Sequence, residues 1–203
     1  MFHVKHEGWD EAADLAGVTL SAPMRERLDA FETSLVERAA PMGMISASDV
    51  PRVRERHILD SLRGAPCLPD DGVVCDLGSG AGLPGLVLSI VRPDLRWILV
   101  EVRRNRVRFL EETVSALGLE GVTVHARRAE TYRARVSACT ARAFAPAATA
   151  WEVAERILGP GASLIYWAGA SFETGRDVPE GVNAAVFATP GLARSGPLVI
   201  MTR

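Results

Sequence analysis

Asp76 and Glu101 are two acids set around a run of glycines, and their placement limits the chemistry open to this chain. The stretch from Val73 to Gly85 reads V-V-C-D-L-G-S-G-A-G-L-P-G. Gly78, Gly80, Gly82 and Gly85 permit a tight turn whose exposed backbone amides can cradle a nucleotide-like ligand at the carboxyl end of a strand. Asp76 stands two residues before the first glycine, and Glu101 follows Gly80 by about 20 residues, the spacing of a carboxylate that holds ribose hydroxyls. A dinucleotide would bring a pyrophosphate to this turn, where Asp76 would repel it. S-adenosylmethionine brings an ammonium and a sulfonium instead, so the acid-flanked turn favours it over NAD. A blander alternative stays open, in which Asp76 only caps the turn by accepting hydrogen bonds from loop amides.

Other side chains with chemical potential are more ambiguous. His57 and Asp60, three apart in V-P-R-V-R-E-R-H-I-L-D-S-L, share one side of a helix and could bond each other or a neighbouring element. The simpler reading is a buried polar pair that fixes the N-terminal helices on the core. Of the 23 basic residues all but one are arginine, with clusters at Arg103, Arg104, Arg106 and Arg108 and at Arg127, Arg128, Arg133 and Arg135. A GC-rich coding bias would produce the same preference. His3, His6, His57 and His125 form no metal-ligand spacing with cysteine or acid, so no metal is expected. Cys67, Cys75 and Cys139 are isolated from one another and read as small buried hydrophobes.

The elements that must position the acids follow from periodicity. Apolar runs predict strands at 73–77, 96–101, 122–126, 137–142 and 162–168, alternating with helices near 83–91, 104–118, 128–134 and 147–158. Pro84 suits a helix's first turn. Two further apolar stretches, 184–188 and 198–201, joined through Pro190-Gly191, suit an antiparallel hairpin on the sheet edge. Strand, helix, strand order implies a doubly wound α/β sheet with its site above the first strand. Ahead of it, Ser21 can cap a helix running to about Ala40, in which Met24, Leu28, Phe31, Leu35 and Ala39 share a face. Ser48 can cap a second helix with Val53, Ile58 and Leu62 facing inward. The expected organisation is an N-terminal helical extension, 1–70, packed on a cofactor-binding domain, 71–203, as one structural unit. With 203 residues, 48% hydrophobic and 24% charged, the chain has the composition of a soluble globular protein. No stretch approaches a membrane span and residues 1–10 carry charges without an apolar signal core, so a cytoplasmic protein is expected. A formal net charge of −2 argues against indiscriminate nucleic-acid binding but leaves room for a local basic face.

Five motifs in order carry a resemblance: R-H-I-L-D-S-L (Arg56 to Leu62), D-L-G-S-G-A-G-L-P-G, S-I-V-R-P-D-L (Ser89 to Leu95), R-V-R-F-L (Arg106 to Leu110) and A-R-A-F-A (Ala141 to Ala145). Together they resemble the RsmG, or GidB, family of bacterial methyltransferases, which use S-adenosylmethionine to methylate N7 of a guanine in 16S ribosomal RNA. The match runs from about Gly43 to Gly169. The resemblance implies a class I, Rossmann-like methyltransferase fold, S-adenosylmethionine as cofactor, and 16S rRNA or a small-subunit precursor as partner of a monomer. It also implies that Gly78 and Leu83 touch the cofactor, that Glu101 holds the ribose, that Ala129 and Glu130 lie on the adenine side, and that Arg142 stands beside the methyl-transfer site as its catalytic-site residue and a further cofactor contact. A buried, ion-paired Arg142 is the alternative. Three departures bear on the substrate side: Ala168 stands where the family usually has lysine before glycine, Met44-Ile45-Ser46 replaces an N-L-T motif, and the chain finishes on Met201-Thr202-Arg203 without the usual lysines. These leave open a paralogue acting on a small molecule or protein, or a cofactor-binding module without turnover.

Overall fold

Seven strands form one sheet: β1 (Val73–Leu77), β2 (Arg96–Glu101), β3 (Val122–Ala126), β4 (Val136–Arg142), β5 (Leu158–Trp167), β6 (Asn183–Phe187) and β7 (Leu198–Thr202). The computed structural model describes residues 9, 17–188 and 196–203. The strand order is β3-β2-β1-β4-β5-β7-β6, with β1 to β5 parallel and the β6/β7 pair antiparallel at the edge. The order reverses at β1, so the carboxyl end of that strand is the crevice where open α/β sheets hold ligands.

Helices cover both faces: α1 (Ala22–Ser34), α2 (Asp60–Leu62), α3 (Gly85–Val91), α4 (Arg104–Ala116), α5 (Ala147–Glu155) and α6 (Thr174–Asp177). Side chains alternate across β1, which sorts them into two cores. Val74 joins Leu86, Leu99, Phe109 and the N-terminal Leu28, Phe31, Ile58 and Leu62, whereas Cys75 and Leu77 join Cys139, Leu164 and α5's Ala150, Trp151 and Ala154. The N-terminal helices therefore share a core with the sheet. Each fully buried Leu or Phe there contributes about 2 kcal/mol. Arg54 reinforces the layer, pairing with Asp29 at 2.8 Å and Glu32 at 2.6 Å while its guanidinium lies 4.2 Å from the Trp9 ring centre.

Several expectations need correction. Ser21 does cap α1, but the helix passes into a π-helical turn at Leu35–Ala39. The second N-terminal helix is capped by Ser46, not Ser48, and is composite: a 3-10 stretch Ala47–Arg52, a π turn Arg54–Leu59, then α2. Pro51 in that first stretch has no amide to donate, which disfavours a regular α-helix there. The predicted helix at 128–134 is only a 3-10 turn, Ala129–Thr131, because Tyr132 turns inward as a buried side chain and β4 starts soon after. β5 begins earlier than predicted, at Leu158, with an irregular register shift between Val136 and Ala138 on β4 that absorbs Gly159-Pro160-Gly161. Cys67 is half-buried, unlike Cys75 and Cys139. The Pro190-Gly191 connection, and most of 1–16, lie outside the described residues.

Candidate cofactor and acceptor sites

The glycine turn is closed by Glu101 and not by Asp76. At the end of β2 the Glu101 carboxylate accepts from the amides of Val102 (2.7 Å) and Arg103 (2.8 Å) through Oε1, and from the Gly80 amide at 3.0 Å through Oε2. Arg106 of α4 stands 3.7 Å from Oε2. A second tie, from the Ser79 amide to the Val100 carbonyl at 3.0 Å, holds the turn against β2. Gly78, Gly80 and Gly82 all have positive φ, which an L side chain rarely adopts. A Cβ on Gly78 would also stand 2.5 Å from the Phe144 ring, so that ring needs a glycine beneath it.

Asp76 is buried below the turn. Its Oδ1 accepts from the Thr140 hydroxyl on β4 at 2.7 Å, while Oδ2 closes no hydrogen bond. The Gly85 amide lies near enough to favour the charge weakly, and a Cβ on Gly85 would come within 2.6 Å of Oδ2. Burial pushes the carboxyl pKa up to about 6, opposed by the Thr140 and Ser79 hydroxyls and the Gly85 amide. Of the amides following the strand, only that of Gly85 approaches Asp76, so capping of the turn through loop amides is at most weak. An unpartnered buried carboxylate oxygen has the chemistry to meet a cation, which S-adenosylmethionine carries on its ammonium and sulfonium.

Above these acids is a cleft of about 240 Å³ lined by Gly78, Glu101, Ala129, Glu130, Ala143 and Phe144, with arginines at its rim. Of the predicted cofactor contacts, the structure brings Gly78, Glu101, Ala129 and Glu130 together here. Asp76, Gly80 and Gly82 form the support beneath, and Leu83 packs partly buried against the core instead of lining the cleft. Both arginine clusters reach the same cleft through Arg103, Arg106, Arg127 and Arg128. Parallel pairing explains this, since Glu101 is opposite Ala126 and each cluster follows directly where its strand ends. The side chains of Arg103, Arg104, Arg127 and Arg128 make no hydrogen bond or ion pair with described residues. Sequence reasoning missed Phe144 and Thr140; the usable signal was that residues at and just beyond a strand adjoining β1 must face the same crevice.

Arg142 lies outside that cleft, in a neighbouring cavity of about 290 Å³ lined also by Arg56, Asp60, Arg63, Tyr166 and Ala168. Its guanidinium donates to the Arg56 carbonyl at 3.0 Å and sits 3.3 Å from Asp60 Oδ2 and 3.1 Å from His57 Nδ1. Because arginine only donates, Nδ1 accepts and the His57 proton sits on Nε2, 3.2 Å from Asp49 Oδ2 though off the line of a hydrogen bond. Burial first, then the Arg142 charge, holds the His57 pKa below its ordinary value, so the ring is neutral at pH 7. Burial likewise lowers that of Arg142, with Asp60 opposing. Asp60 is shared with Arg63, 2.6 Å away, and its carbonyl accepts from Trp167 Nε1 at 2.7 Å. His57 and Asp60 thus converge on Arg142, not on each other.

The family model for GidB, described as rRNA small subunit methyltransferase G, matches residues 24–177. The chain belongs to this family. Among curated relatives, all called ribosomal RNA small subunit methyltransferase G, that of Clavibacter sepedonicus is 40% identical over 164 residues, covering 80% of this chain and 75% of its own length. That of Acidothermus cellulolyticus is 44% identical over 128 residues, 63% of this chain and 58% of its own, and that of Nocardioides sp. 43% over 157 residues, 76% and 59%. For two of these three relatives the match thus spans less than two thirds of their length. Among solved structures, a methyltransferase from Geobacter sulfurreducens aligns with a TM-score of 0.60 at 17% identity, covering 100% of this chain and 99% of its own. A SAM-dependent methyltransferase from Aquifex aeolicus gives 0.58 at 18%, covering 80% and 98%. At these identities the likeness establishes the Rossmann-like fold, which is the fold expected from the strand and helix order.

Proposed function

We propose that the protein is a cytoplasmic, monomeric methyltransferase that uses S-adenosylmethionine to modify N7 of a guanine in 16S ribosomal RNA. The observation that carries this reading is one cleft, in a GidB-family chain, that combines buried carboxylates beneath with unpaired arginines at the mouth. S-adenosylmethionine would supply a methyl group on a positively charged sulfur. Glu101 has one lone pair, on Oε2, left for a ribose hydroxyl after holding its three amides, Asp76 offers the buried negative charge, and Ala129 and Glu130 wall the far side.

Guanine N7 has a lone pair and no proton to lose, so no side chain has to act as general base. Placement is what the chain must provide, with the acceptor about 3 Å from the methyl and in line with the bond that breaks. Neutral His57, with its Nδ1 occupied by Arg142, is not poised as a base, which suits that chemistry. Arg103, Arg104, Arg127 and Arg128 are free to neutralise phosphates of the RNA. Ala168 supplies no cation, yet its cavity is lined by Arg56, Arg63 and Arg142 against the single carboxylate of Asp60, so positive character there does not depend on residue 168. No helix of the described residues is long and apolar enough to cross a membrane.

The test is methyl transfer from labelled S-adenosylmethionine to naked 16S RNA, to small ribosomal subunits and to a small-molecule extract. Incorporation into 16S RNA, free or assembled, is the expected result. Label only in small molecules or proteins overturns the acceptor, and tight cofactor binding with no transfer anywhere would identify a binding module.

A further inference from the structure

The cleft and the Arg142 cavity meet at one residue. Among the described residues Ala143 alone lines both. It is also the one described non-glycine residue with positive φ, at 50°. That conformation costs an alanine about 1 kcal/mol and persists where neighbours impose it. The neighbours do so here. Arg142, still paired with Trp167 across β4 and β5, is held toward the first cavity by His57 and Asp60, while Phe144 is pressed onto Gly78 in the second. Beyond it, the Tyr166 hydroxyl donates to the Ala145 carbonyl at 3.0 Å and pins the loop's far end. The left-handed turn at 143 lets consecutive side chains face opposite cavities, and the Ala143 side chain is left exposed between them.

We propose that Ala143 is a positioning residue: its small side chain keeps the cofactor cleft open to the acceptor cavity, and its left-handed turn sets the distance between donor and acceptor. The inference rests on reading the two cavities as cofactor and acceptor sites. In-line transfer tolerates little extra separation, so a larger group at 143 blocks transfer while leaving each ligand its own contacts.

Ala143→Asn tests this directly, because asparagine is among the side chains best tolerated at positive φ and the fold is preserved. Single-turnover transfer to small subunits should fall by about 100-fold. The S-adenosylmethionine Kd by calorimetry and the subunit Kd should each stay within about threefold, a change of only ~0.7 kcal/mol. Ala143→Gly, which keeps the left-handed turn and adds no bulk, should lose far less transfer than Ala143→Asn. Undiminished transfer in Ala143→Asn, or equal loss in Ala143→Gly, overturns the proposal, as does a loss of cofactor affinity that matches the loss of rate. A second readout does not need turnover. In Ala143→Cys combined with Cys67→Ser, labelling by a methanethiosulfonate should be slowed by S-adenosylmethionine alone and by small subunits alone; protection by only one, or by neither, contradicts the shared boundary. A wild-type protein inactive on 16S RNA, both free and assembled, would overturn the acceptor assignment, while protection by the cofactor would still decide whether residue 143 borders the cleft.

Discussion

Asp76→Asn separates the charge of this buried residue from its shape. The amide keeps an oxygen for the Thr140 hydroxyl, 2.7 Å away in the native protein, and removes the negative charge while setting an NH2 in place of Oδ2 beside Gly85. A carboxyl raised by burial to about 6 binds a proton more tightly in the folded than in the unfolded chain. Its contribution to stability is therefore complete below the unfolded value near 4 and is lost as pH rises to about 6, amounting to about 3 kcal/mol at neutral pH. The asparagine chain should escape most of that cost, gaining about 1–3 kcal/mol at pH 7.5 and nothing at pH 4. Cofactor binding should move the other way. Loss of a charge-assisted contact to a cationic ligand weakens Kd by about 10- to 100-fold at pH 7. In the native protein, affinity should also fall by about tenfold between pH 7 and pH 5 as Asp76 takes up a proton, whereas the variant should show a flat profile. Calorimetric titration with S-adenosylmethionine across pH 5–7, paired with chemical denaturation at the same pH values, reads both effects. Native-like affinity and an unchanged pH slope in the variant would refute the role given to Asp76.

Three further perturbations bear on separate parts of the site. Glu101→Gln turns an acceptor of three amides into a group that must present N–H to one of them, so stability should drop by about 1–3 kcal/mol and cofactor Kd should rise, as thermal melts and calorimetry would show. Arg142→Met leaves Asp60 with Arg63 as its remaining ion-pair partner among the described residues and should cost about 2 kcal/mol, with cofactor affinity unchanged because Arg142 lies outside the cleft. Replacing Arg103, Arg104, Arg127 and Arg128 by Gln should lower the slope of log K against log salt for RNA binding by about 3. An unaltered slope would remove these arginines from the RNA surface.

The parts of the site built from local spacing were legible in the sequence. The Val73 to Gly85 run specifies strand, turn and helix within 13 residues, and Glu101 falls where a second parallel strand must end beside the first. Partners set by tertiary packing were not legible. The three-residue spacing of His57 and Asp60 put them on one helix side, but their target is Arg142, 85 residues from His57 in the chain. The residues 128–134 have helix-forming composition, yet the short path to β4 and the burial of Tyr132 allow only one turn. The π-helical turns at Leu35–Ala39 and Arg54–Leu59 lie in stretches whose apolar spacing reads as ordinary α-helix. The arginine clusters could have been joined in advance, since both immediately follow neighbouring parallel strands; what the sequence did not show was that Arg103, Arg104, Arg127 and Arg128 lack acidic partners among the described residues, while Arg106 and Arg108 pair with Glu101 and Glu112.

The most direct test of the central claim is nucleoside mass spectrometry of 16S ribosomal RNA from a strain lacking this protein, before and after incubation with the purified chain and S-adenosylmethionine. The account predicts that one 7-methylguanosine is absent beforehand and restored afterwards. Ribosomal RNA already fully methylated in the deletion strain would contradict it.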